Sequence, residues 1–260
     1  MVVGAETALG EAVVRRLVRT GGQVRVYLDP EHDDLVDDYR ALGCKVARGE
    51  VRDAGRLEVA LTQVHTVVAA GDSLLDEPAE VLDDLAAVAE AAVGANVRRL
   101  VWPSWLGAAE PGEDAWLRMC AEGEQLLAGL PFESVVVRRS LTYGAGDALT
   151  VALASADLGA AGRGRHAPLW LGDLAGALVA ADEQRGGGED VTQIRIDLAG
   201  PEAMPLAVFA EALRSRIGSV SGLSLPPHAL GYLAADRAPA GDALGSSGTA
   251  LQDGLARLTA

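Results

Sequence analysis

Short valine-rich runs that alternate with helical stretches constrain the fold of this chain more than any other feature of its sequence. Such runs, separated by helices of about 10–15 residues, are typical of βαβ units and a buried parallel sheet. Because crossovers between parallel strands are right-handed, repeated units predict an α/β fold with a doubly wound parallel sheet. The predicted strands are Val2–Val3, Gln23–Leu28, Cys44–Ala47, His65–Ala70, Arg99–Trp102 and Glu133–Val137, and the predicted helices are Gly10–Arg19, Asp33–Leu42, Gly55–Val64, Ala79–Val93 and Asp114–Leu127.

The alternation loosens after about residue 145, which indicates a second part of the chain. Residues 1–147 are predicted to form the sheet domain. Residues 148–260 are predicted to form a smaller C-terminal lobe that binds substrate and is interleaved with the last elements of the sheet. In this lobe, His166–Leu171 and Thr192–Ala199 are predicted strands, and Leu206–Ile217 is a predicted amphipathic helix.

Composition and charge argue against several classes of protein. The chain has 22 basic and 37 acidic residues, so its formal net charge is −15. A surface that acidic repels phosphate backbones and anionic lipids, which argues against nucleic acid and membrane partners. Charged residues interrupt every apolar run before the ~18 residues of a membrane span. With two cysteines and no Cys/His cluster at metal-ligand spacing, the sequence predicts a cytoplasmic protein without a metal site.

A glycine-rich turn joins the first predicted strand to the first predicted helix. Gly4 and Gly10 bracket this turn, and an acidic residue, Asp29, ends the second strand 19 residues after Gly10. In a Rossmann-like fold the N–H groups of such a turn face a pyrophosphate, and the acid reaches the ribose. We therefore expect a site for NAD or NADP. The candidate cofactor-binding residues are Gly4, Ala5, Thr7, Leu9, Gly10, Asp29, Glu50, Val51, Ala70 and Gly71.

Two side chains of the turn weigh against a dinucleotide. Thr7 stands where a glycine would let the backbone approach the phosphates, and a β-branched residue there would narrow the site. Glu6 brings a carboxylate close to the same phosphates. The alternative is therefore a Rossmann-like fold that binds no cofactor. If the cofactor is retained, Asp29 favours NAD over NADP, because a carboxylate repels a 2′-phosphate.

Motifs along nearly the whole chain resemble those of one enzyme family. Val3–Gly10 is similar to the pattern T-G-A-T-G-x-x-G, and Val137–Gly144 is similar to an R-P…Y-G turn. The other matching segments are Arg99–Ser104, Ala121–Leu127, Leu171–Ala175, Gly200–Glu202 and Leu251–Leu255. Their order and spacing resemble the extended or atypical short-chain dehydrogenases/reductases, near the NAD-dependent epimerase/dehydratase and NmrA-like branches. The resemblance implies a Rossmann domain that binds NAD(P).

The resemblance also implies a catalytic set made of a serine and a Tyr-x-x-x-Lys pair. In that pair the lysine lowers the tyrosine pKa, and the tyrosine passes a proton to the substrate oxygen. By position, the tyrosine corresponds to Trp116 and the lysine to Cys120. Neither residue can replace its counterpart, because an indole does not titrate usefully and a thiol is not a cation. Ser104 is retained, and the single lysine, Lys45, lies on the third predicted strand.

Five further residues are candidates for a substrate cleft at the carboxyl edge of the sheet. The aromatic residues would either pack in the core, which is favoured, or line a pocket for a hydrophobic ligand. The arginine would either bind an anion or, as is favoured, pair with a local carboxylate. Cys120 is interpreted as a small semi-buried residue rather than a reactive thiol. The candidates are Trp105, Arg139, Tyr143, His166 and Trp170.

Three functions remain open. The first is an NAD(P)-binding enzyme that acts on a small hydrophobic metabolite without the Tyr–Lys pair, since hydride transfer needs only cofactor and substrate held in line. The second is a non-catalytic NmrA-like nucleotide sensor or partner-binding regulator. The third is a cofactor-independent cyclase or isomerase. The expected partner is a small molecule. The helices Ala79–Val93 and Asp114–Leu127 resemble the pair that forms dimer contacts in the family, so a monomer and a homodimer both remain open.

Overall fold

The computed structural model describes residues 1–110, 112–183, 193–220, 224–237 and 248–258. The strands are β1 (Val2–Val3), β2 (Arg25–Leu28), β3 (Lys45–Arg48), β4 (Thr66–Ala69), β5 (Arg99–Trp102), β6 (Glu133–Arg139), β7 (Thr142–Tyr143), β8 (Arg165–His166), β9 (Leu169–Trp170), β10 (Gln193–Leu198) and β11 (Met204–Pro205). The α-helices are α1 (Ala8–Arg19), α2 (Val36–Ala41), α3 (Ala54–Leu61), α4 (Pro78–Gly94), α5 (Ala115–Ala128), α6 (Ala148–Ser155), α7 (Leu171–Glu183), α8 (Leu206–Ile217), α9 (Pro227–Ala234) and α10 (Leu251–Arg257). Short 3-10 helices span Pro30–Leu35 and Gly159–Arg163.

Seven parallel strands form the central sheet, in the order β10-β6-β5-β4-β1-β2-β3. β1 pairs with β2 on one side and with β4 on the other, so the strand order reverses beside it. In open α/β sheets, ligands bind outside the carboxyl ends of the strands at such a reversal. The predicted α/β, Rossmann-like doubly wound parallel sheet is confirmed.

Helices cover both faces of this sheet. α1, α2 and α7 bury one face, to which α1 contributes Leu9, Val13 and Val14. α3, α4 and α5 bury the other face, with Leu57 of α3 and Leu85 of α4 in its core. Because both faces are covered, strands such as β4 and β5 are buried along their whole length. In the part of the chain that the structure describes, no helix has the length and apolar character to cross a bilayer.

The C-terminal part of the chain contributes to the sheet as well as to the lobe beside it. β10 is an edge strand that pairs with β6 from Gln193 to Leu198, and α7 packs against α1. α8 packs against α6, while α9 packs against α5 and the second 3-10 helix. The predicted division at residue 147 into a sheet domain and a smaller substrate lobe stays a prediction. Thr192, the first residue of the predicted strand, lies outside the described residues.

Three local predictions differ from the structure. The predicted strand His166–Leu171 is wrong, because β8 and β9 are separate strands that pair with β11 and β7, and Leu171 already begins α7. Pro168 lies between them and has no N–H for a continuous ladder. The predicted helix Asp33–Leu42 begins instead as a 3-10 helix and becomes α2 only at Val36. α9, which has a proline in its first turn, was not predicted.

Replacing Gly4 by alanine tests how closely the first turn approaches β4. Gly4 has a φ of +80°, and a Cβ on it would overlap the Cα of Gly71. Gly43 is a matched control, because its φ is +87° and no atom lies within 4 Å of its Cβ position. We expect Gly43→Ala to lower the free energy of unfolding by about 1 kcal/mol and Gly4→Ala by about 3 kcal/mol. Equal losses in urea unfolding would contradict the close approach.

Candidate functional site

The turn between β1 and α1 lies directly against the end of β4. Gly4 and Gly71 meet backbone to backbone, since a Cβ on Gly4 would overlap Gly71. Gly10 packs just as closely against the carbonyl oxygen of Gly4. These contacts place the first turn of α1 at the carboxyl edge of the sheet. Its N–H groups lack intrahelical acceptors, and the positive end of the helix favours an anion.

Thr7 is the N-cap of α1, and whether its side chain narrows a dinucleotide site stays a prediction. Its hydroxyl oxygen accepts a hydrogen bond from the N–H of Gly10 at 3.0 Å. The same oxygen lies 2.9 Å from the carbonyl oxygens of Gly4 and Ala70. The Thr7 hydroxyl therefore serves the backbone of the turn and of β4, and it fixes their relative position.

A cleft of about 510 Å³, here called the large cleft, opens over this turn. Part of its lining is apolar and includes Val81, Leu85 and Val88 of α4 and Trp102 of β5. Its polar lining is strongly acidic, and His32 is the single basic side chain among the described lining residues. The carboxylates are Glu6, Glu31, Asp72, Asp76, Glu80 and Asp84.

A second cavity of about 300 Å³ lies between this turn, the end of β6, α6 and α7, and is called the leucine cavity. Arg139 and Asp147 also line it. Its leucines are Leu9, Leu74, Leu75, Leu149, Leu171 and Leu174. Four residues, together called the neck, line both cavities: Glu6, Gly71, Asp72 and Asp76. The two cavities therefore meet at the reversal of strand order, where the fold places a ligand.

Most of the predicted cofactor residues lie at these cavities. Those that line a cavity are Gly4, Thr7, Leu9, Val51 and Gly71. Those that are buried just behind the lining are Ala5, Gly10 and Ala70. The backbone carbonyl of Ala5 accepts a hydrogen bond from Tyr39, so this part of the turn is tied to α2. The turn is thus a rigid support for any ligand in the large cleft.

Asp29 and Glu50 lie beside the large cleft without lining it, as the described residues define it. The carboxylate of Asp29 accepts a hydrogen bond from the N–H of Glu31 at 2.9 Å and caps the first 3-10 helix. That bond uses one of its two oxygens. The backbone carbonyl of Glu50 accepts a hydrogen bond from the Tyr27 hydroxyl at 3.3 Å. At the end of β2, Glu31 and His32 face the cleft instead.

The three predicted catalytic positions are buried, and none of them is among the described residues that line the two cavities. Ser104 donates a hydrogen bond to Oε1 of Glu124 at 2.8 Å. Burial raises the pKa of the Cys120 thiol well above its usual value, which makes the thiol a poor nucleophile. Cys120 is thus the small buried residue expected. Trp116 is fully buried as well.

Glu124 on α5 explains why Ser104 does not face the cleft. Its carboxylate accepts hydrogen bonds from Arg138 at 2.8 and 2.6 Å and from Arg195 at 3.3 Å, in addition to that from Ser104. The side chain of Glu124 is 5% exposed. A buried carboxylate needs such partners, so the Ser104 hydroxyl joins a structural network that links α5, β6 and β10.

Four aromatic side chains, here called the aromatic plug, fill the place expected for a substrate. Trp105 meets Trp116 and Tyr232 edge to face, at centroid distances of 5.9 and 5.2 Å. His228 of α9 stacks on Trp116 at 5.7 Å and donates from Nε2 to the Leu74 carbonyl at 3.1 Å. The tryptophans therefore pack in the core, which is the favoured alternative. The indole N–H of Trp116 has no partner among the described residues.

Arg139 pairs with a carboxylate, as favoured from the sequence. Its guanidinium lies 3.0 Å from Oδ2 of Asp72 and donates to the Thr142 hydroxyl at 2.8 Å. The same guanidinium lies 4.2 Å from the ring centroid of Trp105. The side chains of Arg139 and Asp72 are 6% and 4% exposed. This buried ion pair forms the boundary between the leucine cavity and the aromatic plug.

The other three substrate candidates support C-terminal elements instead of facing the cleft. The Tyr143 ring packs between Trp170 and Phe209, and its hydroxyl lies against Gly254 of α10. His166 donates from Nε2 to the Leu233 carbonyl at 3.0 Å, and its burial lowers the pKa of its ring. None of the three is among the described residues that line the two cavities.

Two aspartates of the neck were missed by the sequence analysis. Asp72 has an oxygen, Oδ1, that is buried and has no partner in the described part of the chain. Asp76 accepts a hydrogen bond from the N–H of Ser73 at 2.7 Å, and burial raises the pKa of its carboxyl to about 6. The sequence feature that could have indicated them is their position in the segment that follows Gly71. Residues that follow a strand end lie at the ligand-binding edge of the sheet. The described residues contain no group of three or more His, Cys, Asp or Glu arranged to hold a metal ion.

Comparison with protein families shows the family of the chain. The model of the NAD(P)H-binding family matches residues 4–143, a segment that contains the first turn, the neck and the central strands. This chain belongs to the NAD(P)H-binding family. No curated protein matches the chain by sequence at a significant level.

Solved structures show the same fold over nearly the whole chain. Citrobacter sp. triphenylmethane reductase complexed with NADP(H) is 16% identical, with a TM-score of 0.74 over 99% of this chain and 98% of its own. Thermotoga maritima UDP-glucose 4-epimerase with UDP-glucose is 15% identical, with a TM-score of 0.72 over 99% and 96%. The NAD-dependent NDP-hexosamine 5,6-dehydratase of tunicamycin biosynthesis is 17% identical, with a TM-score of 0.70 over 99% and 95%. The predicted NAD(P)-binding family and Rossmann-like fold are thus confirmed, and the fold is shared with a reductase, an epimerase and a dehydratase.

Replacing Glu124 by glutamine tests whether this carboxylate has a structural role. The variant keeps the size of the side chain but leaves Arg138 without its anion, so we expect the free energy of unfolding to fall by about 3 kcal/mol. Glu122→Gln, at an exposed position of the same helix, should change it by less than about 0.5 kcal/mol. Chemical denaturation measures both, and equal effects would contradict the buried network.

Proposed function

We propose that this chain binds a nicotinamide dinucleotide as a regulatory ligand and does not use Tyr–Lys hydride chemistry. The observation that carries the proposal is the burial of Ser104, Trp116 and Cys120 apart from both cavities, next to an intact dinucleotide turn. The function that fits is that of an NmrA-like nucleotide-responsive protein. A nicotinamide cofactor would supply hydride chemistry only if a substrate were held in line with it.

The first turn fits a pyrophosphate. Gly4 and Gly71 keep the backbone free of side chains where a dinucleotide crosses the strand ends, and α1 directs its first-turn N–H groups to the same place. Glu6 belongs to the same turn, and burial raises the pKa of its carboxyl. Val51 would contact the adenine, and Gly71 the ribose next to the nicotinamide.

A proton relay from α5 is unsupported in this protein. The positions that correspond to the family's tyrosine and lysine carry an indole and a thiol, and both lie within or beneath the aromatic plug. The Ser104 hydroxyl donates a hydrogen bond to Glu124 and does not point toward a cavity. A ligand in the large cleft would therefore be bound, but Ser104, Trp116 and Cys120 could not protonate it.

A second candidate function is favoured by the leucine cavity. Its leucines and its position at the neck suit a small hydrophobic metabolite placed beside the nicotinamide end of the dinucleotide. The chain would then be an oxidoreductase without the Tyr–Lys pair, in a fold that it shares with triphenylmethane reductase. Cofactor-dependent absorbance changes with quinones, aldehydes and ketones would support this function over the regulatory one. The cofactor-independent enzyme would be excluded by tight dinucleotide binding.

Dinucleotide binding is tested by filling the neck. A Cβ on Gly71 would meet only the Cα of Gly4, at 3.4 Å, so Gly71→Leu places a side chain in the cleft without disturbing the fold. We expect micromolar NAD to quench the fluorescence of Trp102, which lines the large cleft, and Gly71→Leu to weaken binding at least about tenfold.

Gly22→Leu is the matched control, because Gly22 is exposed and its Cβ position has a single distant neighbour. Calorimetry should give this variant the affinity of the original protein. Absence of binding at millimolar NAD and NADP by both methods would contradict the proposed function.

The preference for NAD over NADP is tested at Asp29. An asparagine at position 29 can still accept the hydrogen bond from the N–H of Glu31 that caps the 3-10 helix, but it carries no charge. We expect the original protein to bind NAD more tightly than NADP, and Asp29→Asn to reduce that ratio about tenfold, which corresponds to ~1.4 kcal/mol. An unchanged ratio in competitive calorimetric titrations would assign the preference to other residues.

A further inference from the structure

We propose that the neck binds the positively charged group of an organic cation, whose apolar body lies in the leucine cavity. This site is distinct from the dinucleotide turn, and the inference does not require that a dinucleotide binds. It assigns a ligand class, a hydrophobic amine or a pyridinium ring, to Asp72 and Asp76, two neck residues that the proposed function does not use.

The charges around the leucine cavity favour a cation. Four carboxyl side chains line it, from Glu6, Asp72, Asp76 and Asp147, against one described cation, Arg139. Arg139 is already paired with Asp72 at 3.0 Å and lies over the ring of Trp105. An anion entering the cavity would therefore meet carboxyl groups and no unpaired cation among the described residues, whereas a cation would be attracted by those carboxyl groups that are ionised.

A buried acceptor without a partner marks the place of the charge. The Asp72 side chain is 4% exposed; its Oδ2 accepts from Arg139 and Trp105, while its Oδ1 has no partner among the described residues. Oε2 of Glu6, also in the neck, is buried and without a partner as well. A buried carboxylate oxygen without a hydrogen bond costs free energy, and an N–H donor or a pyridinium ring bound at the neck would lower that cost.

Asp76 adds a charge that depends on pH. Burial and the nearby Asp72 raise the pKa of its carboxyl to about 6, against the opposing effects of the Ser73 N–H and Arg139. The other charged groups facing it are Glu6 across the neck and Asp84 on α4, and His228 of α9 binds the adjoining Leu74 carbonyl. Since Asp76 becomes ionised as the pH rises through 6, cation affinity should rise over the same interval.

The leucine cavity selects the rest of the ligand. Leu74, Leu149 and Leu174 are fully or nearly fully buried and offer an apolar wall next to the neck. A volume of about 300 Å³ suits a single ring with a short chain. The cavity opens beside Ala148, the exposed first residue of α6.

The test compares 4-phenylbutylammonium with its neutral analogue 4-phenylbutan-1-ol by calorimetry on the full chain at pH 8. We expect the ammonium to bind at least tenfold more tightly. Asp76→Asn, which can still accept the Ser73 hydrogen bond, should reduce that preference about fivefold or more, and lowering the pH to 5 should do the same. Asp83→Asn, at an exposed position of α4, should leave the preference unchanged.

Ala148→Trp tests the location, because it fills the mouth of the leucine cavity from an exposed position. It should weaken ammonium binding at least tenfold, whereas Ala145→Trp, which is exposed outside the cavity lining, should not. Equal affinities for the ammonium and the alcohol would overturn the proposal. A preference for the ammonium over the alcohol that persists in both Asp76→Asn and Ala148→Trp would also overturn the proposal, provided that the thermal unfolding of both variants is unchanged.

A comparison of NAD⁺ with NADH identifies the source of the cation, since the two differ in the charge of the nicotinamide ring. Preference for NAD⁺ that is lost in Asp76→Asn would support the proposal with the pyridinium ring as the bound group. Equal binding of NAD⁺ and NADH, with the ammonium still preferred, would support it with an amine as the ligand. If neither dinucleotide binds, the proposed function is overturned but the cation site is not. The ammonium measurement decides the cation site by itself.

Discussion

The contact between the first turn and the end of β4 is the constraint on which the rest of the site depends. Gly4 can approach Gly71 because Gly4 has no side chain, and the Thr7 hydroxyl joins the carbonyls of Gly4 and Ala70 while it caps α1. This contact fixes α1, β1 and β4 at one edge of the sheet. The large cleft and the neck both form above it, so their shapes follow from a few backbone atoms rather than from mobile side chains.

Two buried carboxylates at the carboxyl edge of the sheet differ in role: one is structural, and the other is suited to ligand binding. The side chain of Glu124 has three hydrogen-bonding partners and closes the region of Ser104, whereas Asp72 has one oxygen bonded and the other without a partner in the described part of the chain. A fully paired buried carboxylate stabilises a core, while an incompletely paired one retains a capacity to bind. The positions predicted from the sequence to be catalytic are thus part of the core, and the acidic neck next to them is the site that we propose for a ligand.

The alternation of strands and helices was sufficient to predict the sheet, because both periodicity and turn residues are local. The cofactor turn was predictable for the same reason, and Ser104 was placed at the right strand end. The aromatic plug was not predictable in full, because His228 and Tyr232 come from α9, more than a hundred residues after Trp105. Asp72 also escaped notice, since its burial depends on Arg139, which lies 67 residues away in sequence.

The aromatic plug has a consequence for any attempt to engineer a Tyr–Lys pair into this scaffold. Tyrosine at position 116 and lysine at position 120 would place an ammonium at a fully buried position next to the aromatic plug. A lysine buried that way loses its proton and with it the ability to acidify a phenol. Engineering would have to begin with α9, by emptying the cavity that His228 and Tyr232 occupy, before any catalytic residue was introduced.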